Sequence, residues 1–143
     1  MANRFYIMND CIFCHIIAGD IPCEKVYEDS HVLAFLDITP VNPGHTLVVP
    51  KEHYADMAGT PVPVLIHLIE VVQKVGNAVL KSGLAQGFNV GLNNGAAAGQ
   101  SVLHTHFHIV PRNVNDGHSL WHGKKYVPGQ ATAVAAQLRR TML

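Results

Sequence analysis

From Gly95 to Pro111 the chain reads Gly-Ala-Ala-Ala-Gly-Gln-Ser-Val-Leu-His-Thr-His-Phe-His-Ile-Val-Pro, with histidine at alternate positions 104, 106 and 108. A β-strand sends alternate side chains to one face, so the spacing predicts three imidazoles along one side of a sheet. Ile109 and Val110 continue the strand, and Pro111 ends or edges it. Three neutral imidazoles side by side are costly to keep unless a metal, an anion or a reaction uses them. The rest of the chain is read as a floor, a pocket or a rim for that row.

The surrounding pattern predicts an α+β domain occupying residues 1–143, with residues 1–10 a loose lead-in that lacks periodicity. Phe13, Ile16 and Ile17 have helical spacing. Lys25 to Glu28 reads as a short strand, and Val32 to Ile38 as a strand covered on both faces. Thr39 to Gly44 carries turn chemistry, and His45 to Val49 follows as the second arm of a hairpin stopped by Pro50. Thr60 as N-cap and Pro61 at the first position open a long helix. Its stripe is Leu65, Leu68, Ile69, Val72, Val75 and Val79, and Gly83 stops it. Phe88 to Leu92 is a strand beside the histidine strand, giving an antiparallel meander with a helix across one face. Residues 113–129 lose the pattern, and Gln130 to Met142 fit a terminal helix.

Charge excludes some partners. Ten Lys+Arg balance ten Asp+Glu, so no broad attraction to nucleic acid or a membrane surface is expected. The apolar stretch from Val62 to Leu80 holds His67, Glu70, Gln73 and Lys74, which marks an amphipathic helix rather than a membrane span. Three cysteines cannot all pair, and the expected compartment is the reducing cytoplasm.

The histidine row leaves several chemistries open: satisfied structural histidines, a catalytic zinc, or nucleophilic and acid–base work on an anion. Ligands at i, i+2 and i+4 spread about 13 Å along a strand, so a metal would take one or two of them more easily than three. The loop from Gly95 to Ser101 favours an anion, because small residues let backbone N–H groups approach a phosphate. It is not a P-loop: Gln100 stands where lysine is needed, and a strand follows instead of a helix.

His-Thr-His-Phe-His-Ile-Val at 104–110 resembles the signature of the histidine triad (HIT) superfamily, with Thr105 the one polar residue at an apolar position. Ile12-Phe13-Cys14, Ile21-Pro22, Phe35-Leu36-Asp37-Ile38, Pro43-Gly44-His45-Thr46, Val49-Pro50-Lys51 and Gly99-Gln100-Ser101 resemble segments of its Hint-like, bacterial branch. The likeness implies a hydrolase of purine nucleoside phosphoramidates or adenylylated compounds, acting through a covalent nucleotidyl-histidine. A dinucleoside polyphosphate hydrolase is the alternative within enzymes. A non-catalytic nucleotide- or zinc-binding regulatory module is the alternative outside them.

On that resemblance His106 is the nucleophile, His108 holds a phosphoryl oxygen, and His45 orients or shuttles a proton. Asn93, Ser101, Gly99 and Gln100 bind phosphate and the leaving group. Asp37 accepts from the ribose hydroxyls, and Phe13, Ile16, Ile21 and Ile38 form a purine slot that is equally plain core packing. Cys11-x-x-Cys14 is half of a zinc site. The resemblance supplies His53 and His104 as the other half, making a closed structural zinc site. Two inert buried thiols, or a haem-attachment Cys-x-x-Cys-His, are the competing readings of the same residues. The resemblance also implies a homodimer whose C-terminal segment, residues 113–143 with Trp121, faces the partner.

Overall fold

A computed structural model describes residues 10–142, so all but the last residue of the expected lead-in lies outside the described residues. The elements are α1 (Ile12–Ala18), β1 (Lys25–Glu28), β2 (Val32–Leu36), β3 (Thr46–Pro50), α2 (Val62–Lys81), β4 (Gly87–Gly91), β5 (Phe107–Arg112) and α3 (Gln130–Thr141). The five strands form one sheet in the order β1-β2-β3-β5-β4, every neighbouring pair antiparallel. The α+β class is as expected, and only the first three strands form a meander. The chain then crosses along α2 to the far edge, lays down β4, and returns β5 into the gap beside β3.

Alternation along the strands gives the sheet two apolar faces. Val32, Ala34, Val48, Phe107 and Ile109 pack with Leu68, Val71, Val72, Val75 and Val79 of α2. Leu33, Phe35, Leu47 and Val49 face the other way and pack with Cys11, Phe13 and Cys14 at α1. His108 pairs with Leu47 across the β3–β5 ladder, so its side chain stands on the α1 face. The long helix packs on one side, and His108 stands on the other.

Four local expectations are corrected. The Thr60 hydroxyl donates to the Asp56 carbonyl (2.7 Å) and meets Thr105 Oγ1 (2.8 Å), so it does not cap α2, whose N-cap is Pro61. The stripe runs through Val71 and leaves Ile69 50% exposed, a shift of the buried face around the helix. The histidine strand begins only at Phe107, because the preceding backbone is drawn sideways: Thr105 N–H donates to Tyr54 O (2.7 Å) and His104 N–H to Val102 O (2.9 Å). Pro111 lies inside β5 rather than ending it. Pairing with β3 has already stopped at Ile109, so the missing N–H interrupts no β3 ladder.

Candidate functional site

The glycine-flanked loop is tightly self-bonded. Gly95 and Gly99 sit at φ +84° and +86°, a conformation that favours glycine, on either side of a single 3₁₀ turn at Ala96–Ala98. Ala98 and Gln100 N–H both donate to Gly95 O, and Gly99 N–H donates to Ala96 O. The Gln100 side chain is buried: Nε2 donates to Ala55 O (2.6 Å) and Val102 O (3.0 Å), while Oε1 accepts from Gly95 N–H (2.8 Å). The Gly99 and Gln100 N–H groups and the Gln100 side chain all bond within or beside the loop, and Gln100 shapes it. Asn93 Nδ2 lies beside Gly99, 3.6 Å from where a Cβ would stand, and Ser101 is exposed.

The histidines separate into two hydrogen-bonded systems. His106 Nδ1 lies 2.6 Å from the His104 carbonyl, which can only accept, so Nδ1 carries the proton and Nε2 carries the lone pair. Val41 N–H donates to His45 Nδ1 (3.1 Å), which leaves the His45 proton on Nε2, 2.9 Å from His108 Nδ1. His45 donates and His108 accepts, so the neutral His108 keeps its proton on Nε2. The His106 and His108 rings are 4.9 Å apart between centroids, and Phe13 stands edge-on to His106 at 5.0 Å.

Burial disfavours charge on this pair. It pushes His108 down to about 4, with the neighbouring His106 and His45 adding to the effect. Burial also lowers His45, opposed by Asp37, whose Oδ2 is 3.8 Å from His45 Nε2. The other Asp37 oxygen accepts from Thr39 N–H (2.9 Å) and Thr39 Oγ1 (3.2 Å), so this carboxylate organises the β2–β3 loop beside the imidazoles.

His104 belongs to a different cluster. Its Nε2 donates to Pro50 O (2.8 Å), which points Nδ1 at Cys11 Sγ (3.4 Å) and Cys14 Sγ (3.6 Å). Cys14 Sγ also lies 3.3 Å from His53 Nδ1, and the donor atoms of Cys11, Cys14, His53 and His104 all fall within 4.8 Å of one another. Tetrahedral zinc with ordinary bond lengths separates a sulfur and a nitrogen ligand by about 3.6 Å, so the spacing fits. The carbonyl bond fixing the far nitrogen of His104 is the support that metal-bound imidazoles usually have. The chemistry of this donor set fits zinc.

A cavity of about 780 Å³ carries His45 and His108, walled by Asn89, Asn93, Val41 and Val110. The chain's own segment from His118 to Trp121 closes its other side. Sequence reasoning missed Asn89 and His118 to Leu120, because nothing in an unpatterned tail says that it folds back onto its own domain. The purine-slot residues divide. Phe13 is core, Ile16 packs partly buried against it, Ile21 is half-buried, and Ile38 is 91% exposed. Ile38 follows the end of β2 and turns outward to solvent. Ser101 borders another cleft, about 410 Å³, with Cys11, Ile12 and His53.

Residues 18–115 match the model of the HIT domain family. Adenylylsulfatase HINT3 of Arabidopsis thaliana is 45% identical over 115 residues, covering 80% of this chain and 57% of that longer protein. Adenosine 5'-monophosphoramidase hnt1 of Schizosaccharomyces pombe is 46% identical over 102 residues, 71% of this chain and 74% of that one. The crystal structure of a zinc-bound histidine triad family protein from Mycobacterium smegmatis superimposes with a TM-score of 0.75 at 36% identity, covering 93% of this chain and 98% of that one.

Proposed function

The chain belongs to the HIT domain family, and from that premise we propose that it hydrolyses purine nucleoside phosphoramidates or related adenylylated compounds through a nucleotidyl-His106 intermediate. The observation that carries this reading is the fixed tautomer of His106. Donation from Nδ1 to the His104 carbonyl leaves Nε2 as a nucleophile with its lone pair available. The names of the Arabidopsis and fission yeast relatives support the substrate class.

In the first step His106 Nε2 bonds to the α-phosphorus as the bond from phosphorus to the leaving amine breaks. The positive charge that develops on the ring is stabilised by the Nδ1–H bond to the His104 carbonyl. The amine departs with a proton drawn from solvent through the cavity that holds His45 and His108. Water then attacks the same phosphorus, the bond to Nε2 breaks, and the water's proton returns to solvent. Nucleoside monophosphate and amine are the products. His108 directs its Nε2–H to a phosphoryl oxygen, an orientation set by the proton that His45 donates to Nδ1. Asn93 and Ser101 are assigned to the phosphate and the leaving group, and Asp37 to the ribose.

Zinc would be held by Cys11, Cys14, His53 and His104 and would supply cross-linking, since four protein ligands leave no open position. The same reading carries a cytoplasmic homodimer. The exposed apolar side chains Ile66, Ile69 and Val90 on α2 and the edge strand β4 support a subunit contact, which sedimentation would test.

Single-turnover labelling with an adenosine phosphoramidate tests the function, run beside a diadenosine polyphosphate. The expected result is label on His106 and faster turnover of the phosphoramidate. Equal or faster turnover of the polyphosphate would reject the substrate class.

A further inference from the structure

Asp116, half-buried at the border between the sheet and the C-terminal segment, carries an unusual number of bonds. Its side chain is 8% exposed and accepts from Arg112 Nε (2.7 Å). It also accepts from an Arg112 terminal nitrogen (3.0 Å), Asn42 Nδ2 (3.0 Å) and the N–H groups of Asn113 (3.2 Å) and His118 (3.0 Å). Arg112 in turn donates to Asn89 Oδ1 (2.8 Å) and to the His118 carbonyl (2.8 Å). Four pieces of chain meet here: β4, the end of β5, the loop between β2 and β3, and the tail.

The local backbone is shaped to make this possible. Asn115, at φ +61°, is the one residue other than glycine with positive φ among the described residues, and Gly117 follows at φ +82°. These two left-handed positions bracket Asp116 and turn the chain so that His118 offers both its N–H and its carbonyl to the ion pair. Immediately after it, His118, Ser119, Leu120 and Trp121 line the cavity that holds His45 and His108. Leu120 and Trp121 are 68% and 97% exposed, so core packing does not hold this wall. Its fixed point is the Arg112–Asp116 latch. Charge-assisted bonds are the stronger kind, and a two-pronged arginine–carboxylate pair adds geometric specificity to them.

We propose that Asp116 is a positioning residue that sets leaving-group selectivity by anchoring the His118–Trp121 wall over the His45–His108 cavity. This rests on the function proposed above for that cavity. The catalytic pair itself is held independently: His45 N–H donates to Asn42 O (3.0 Å), Asp37 N–H to His45 O (2.9 Å) and Val41 N–H to His45 Nδ1 (3.1 Å). Asn42 keeps its second bond, to Pro111 O (2.9 Å), when Asp116 is lost. Losing the latch should therefore move the wall and leave the imidazoles in place.

The test compares the full chain with Asp116→Ala and Asp116→Asn, the latter retaining an oxygen for the backbone donors. Two substrates are used, an unsubstituted adenosine phosphoramidate and one carrying a bulky aromatic amine. For Asp116→Ala the expected result is a KM raised at least about 10-fold for the bulky substrate, with kcat for the small one within about threefold. Asp116→Asn should fall between Asp116→Ala and the parent. Trp121 is the only tryptophan in the chain, so fluorescence anisotropy reads the wall directly and should drop in Asp116→Ala. Equal loss of kcat on both substrates with unchanged anisotropy means a merely structural residue and overturns the proposal; so do parent-like KM values with unchanged anisotropy. Should the parent form no nucleotidyl-His106, the proposed function fails, and the anisotropy of the two variants alone decides whether the latch exists.

Discussion

His106 and His108 differ in what their second nitrogens touch, and the roles proposed for them rest on this difference. His106 gives its Nδ1 proton to a carbonyl and keeps a nucleophilic Nε2, whereas His108 accepts at Nδ1 and keeps a donor at Nε2. Replacing His106 by Ala should lower nucleotidyl transfer by at least about 1,000-fold while nucleoside monophosphate binding, read by calorimetry, stays within about threefold. An unchanged rate in that variant would sink the mechanism. His108 also makes stability depend on pH. Its folded value of about 4 lies below the ordinary 6.5, so between those values the unfolded chain binds more protons. Stability is therefore full above pH 6.5, falls as pH drops through this window, and levels off below about 4. Urea unfolding at pH 7 and pH 5 should differ by about 2 kcal/mol from this residue, and His108→Asn should remove that part of the slope. At this scale the sequence was informative about the alternation of the histidines and silent about tautomers. The spacing of 104, 106 and 108 shows in the chain, but the carbonyls of His104 and Pro50 that orient two of the rings do not. The Gln100 side-chain bonds were illegible for the same reason, since its partners at Ala55 and Val102 are backbone atoms that any residue could supply.

The elements show where periodicity suffices and where it fails. Every strand and helix expected between residues 11 and 142 is present, because alternation and the 3.6-residue stripe follow directly from burial. Position along the element was less legible. Val71 replaces Ile69 on the buried side of α2, and Gly76, which no apolar stripe includes, is buried against Phe88 of β4. A Cβ on Gly76 would lie 2.4 Å from the Phe88 ring, so the helix can sit this close to the sheet only with glycine there. Gly76→Ala gains about 1 kcal/mol of helix propensity and loses about 1–3 kcal/mol to overpacking. The expected result is a net destabilisation of up to about 2 kcal/mol, from the difference of those terms, measured by chemical denaturation. A more stable variant would mean that the Phe88 ring swings aside at little cost. The β5 start at Phe107 was illegible because it is set by the 50–54 segment, which captures the backbone at Thr105 and the ring at His104.

Across the whole molecule, the strand order was the part hidden from the sequence. Adjacent strands in the chain suggest a meander, whereas α2 is long enough to carry the chain past the position that β5 later fills. That insertion puts β5 inside the sheet, between the strand following His45 and the edge strand preceding Asn93, and so assembles the cavity from distant segments. It also places His104 against α1, where Cys11 and Cys14 meet His53 from the segment after β3. A metal there would join three separate parts of the chain at the edge of the α1-side core. Zinc bound at 1,000 times its dissociation constant adds about 4 kcal/mol to folding stability. In a chain of 143 residues that raises the melting temperature by on the order of 10 °C. Purified protein should contain close to one zinc per chain, and chelation should lower the melting temperature by that order. Cys14→Ser should lose both the metal and the chelator response, whereas Cys23→Ser, outside the cluster, should keep both. Cobalt substitution gives a readout separate from activity, since two thiolate ligands produce an intense near-ultraviolet absorption that Cys14→Ser should weaken. Metal-free protein whose melting temperature ignores both zinc and chelator would instead leave the four side chains as a packed, hydrogen-bonded cluster and nothing more.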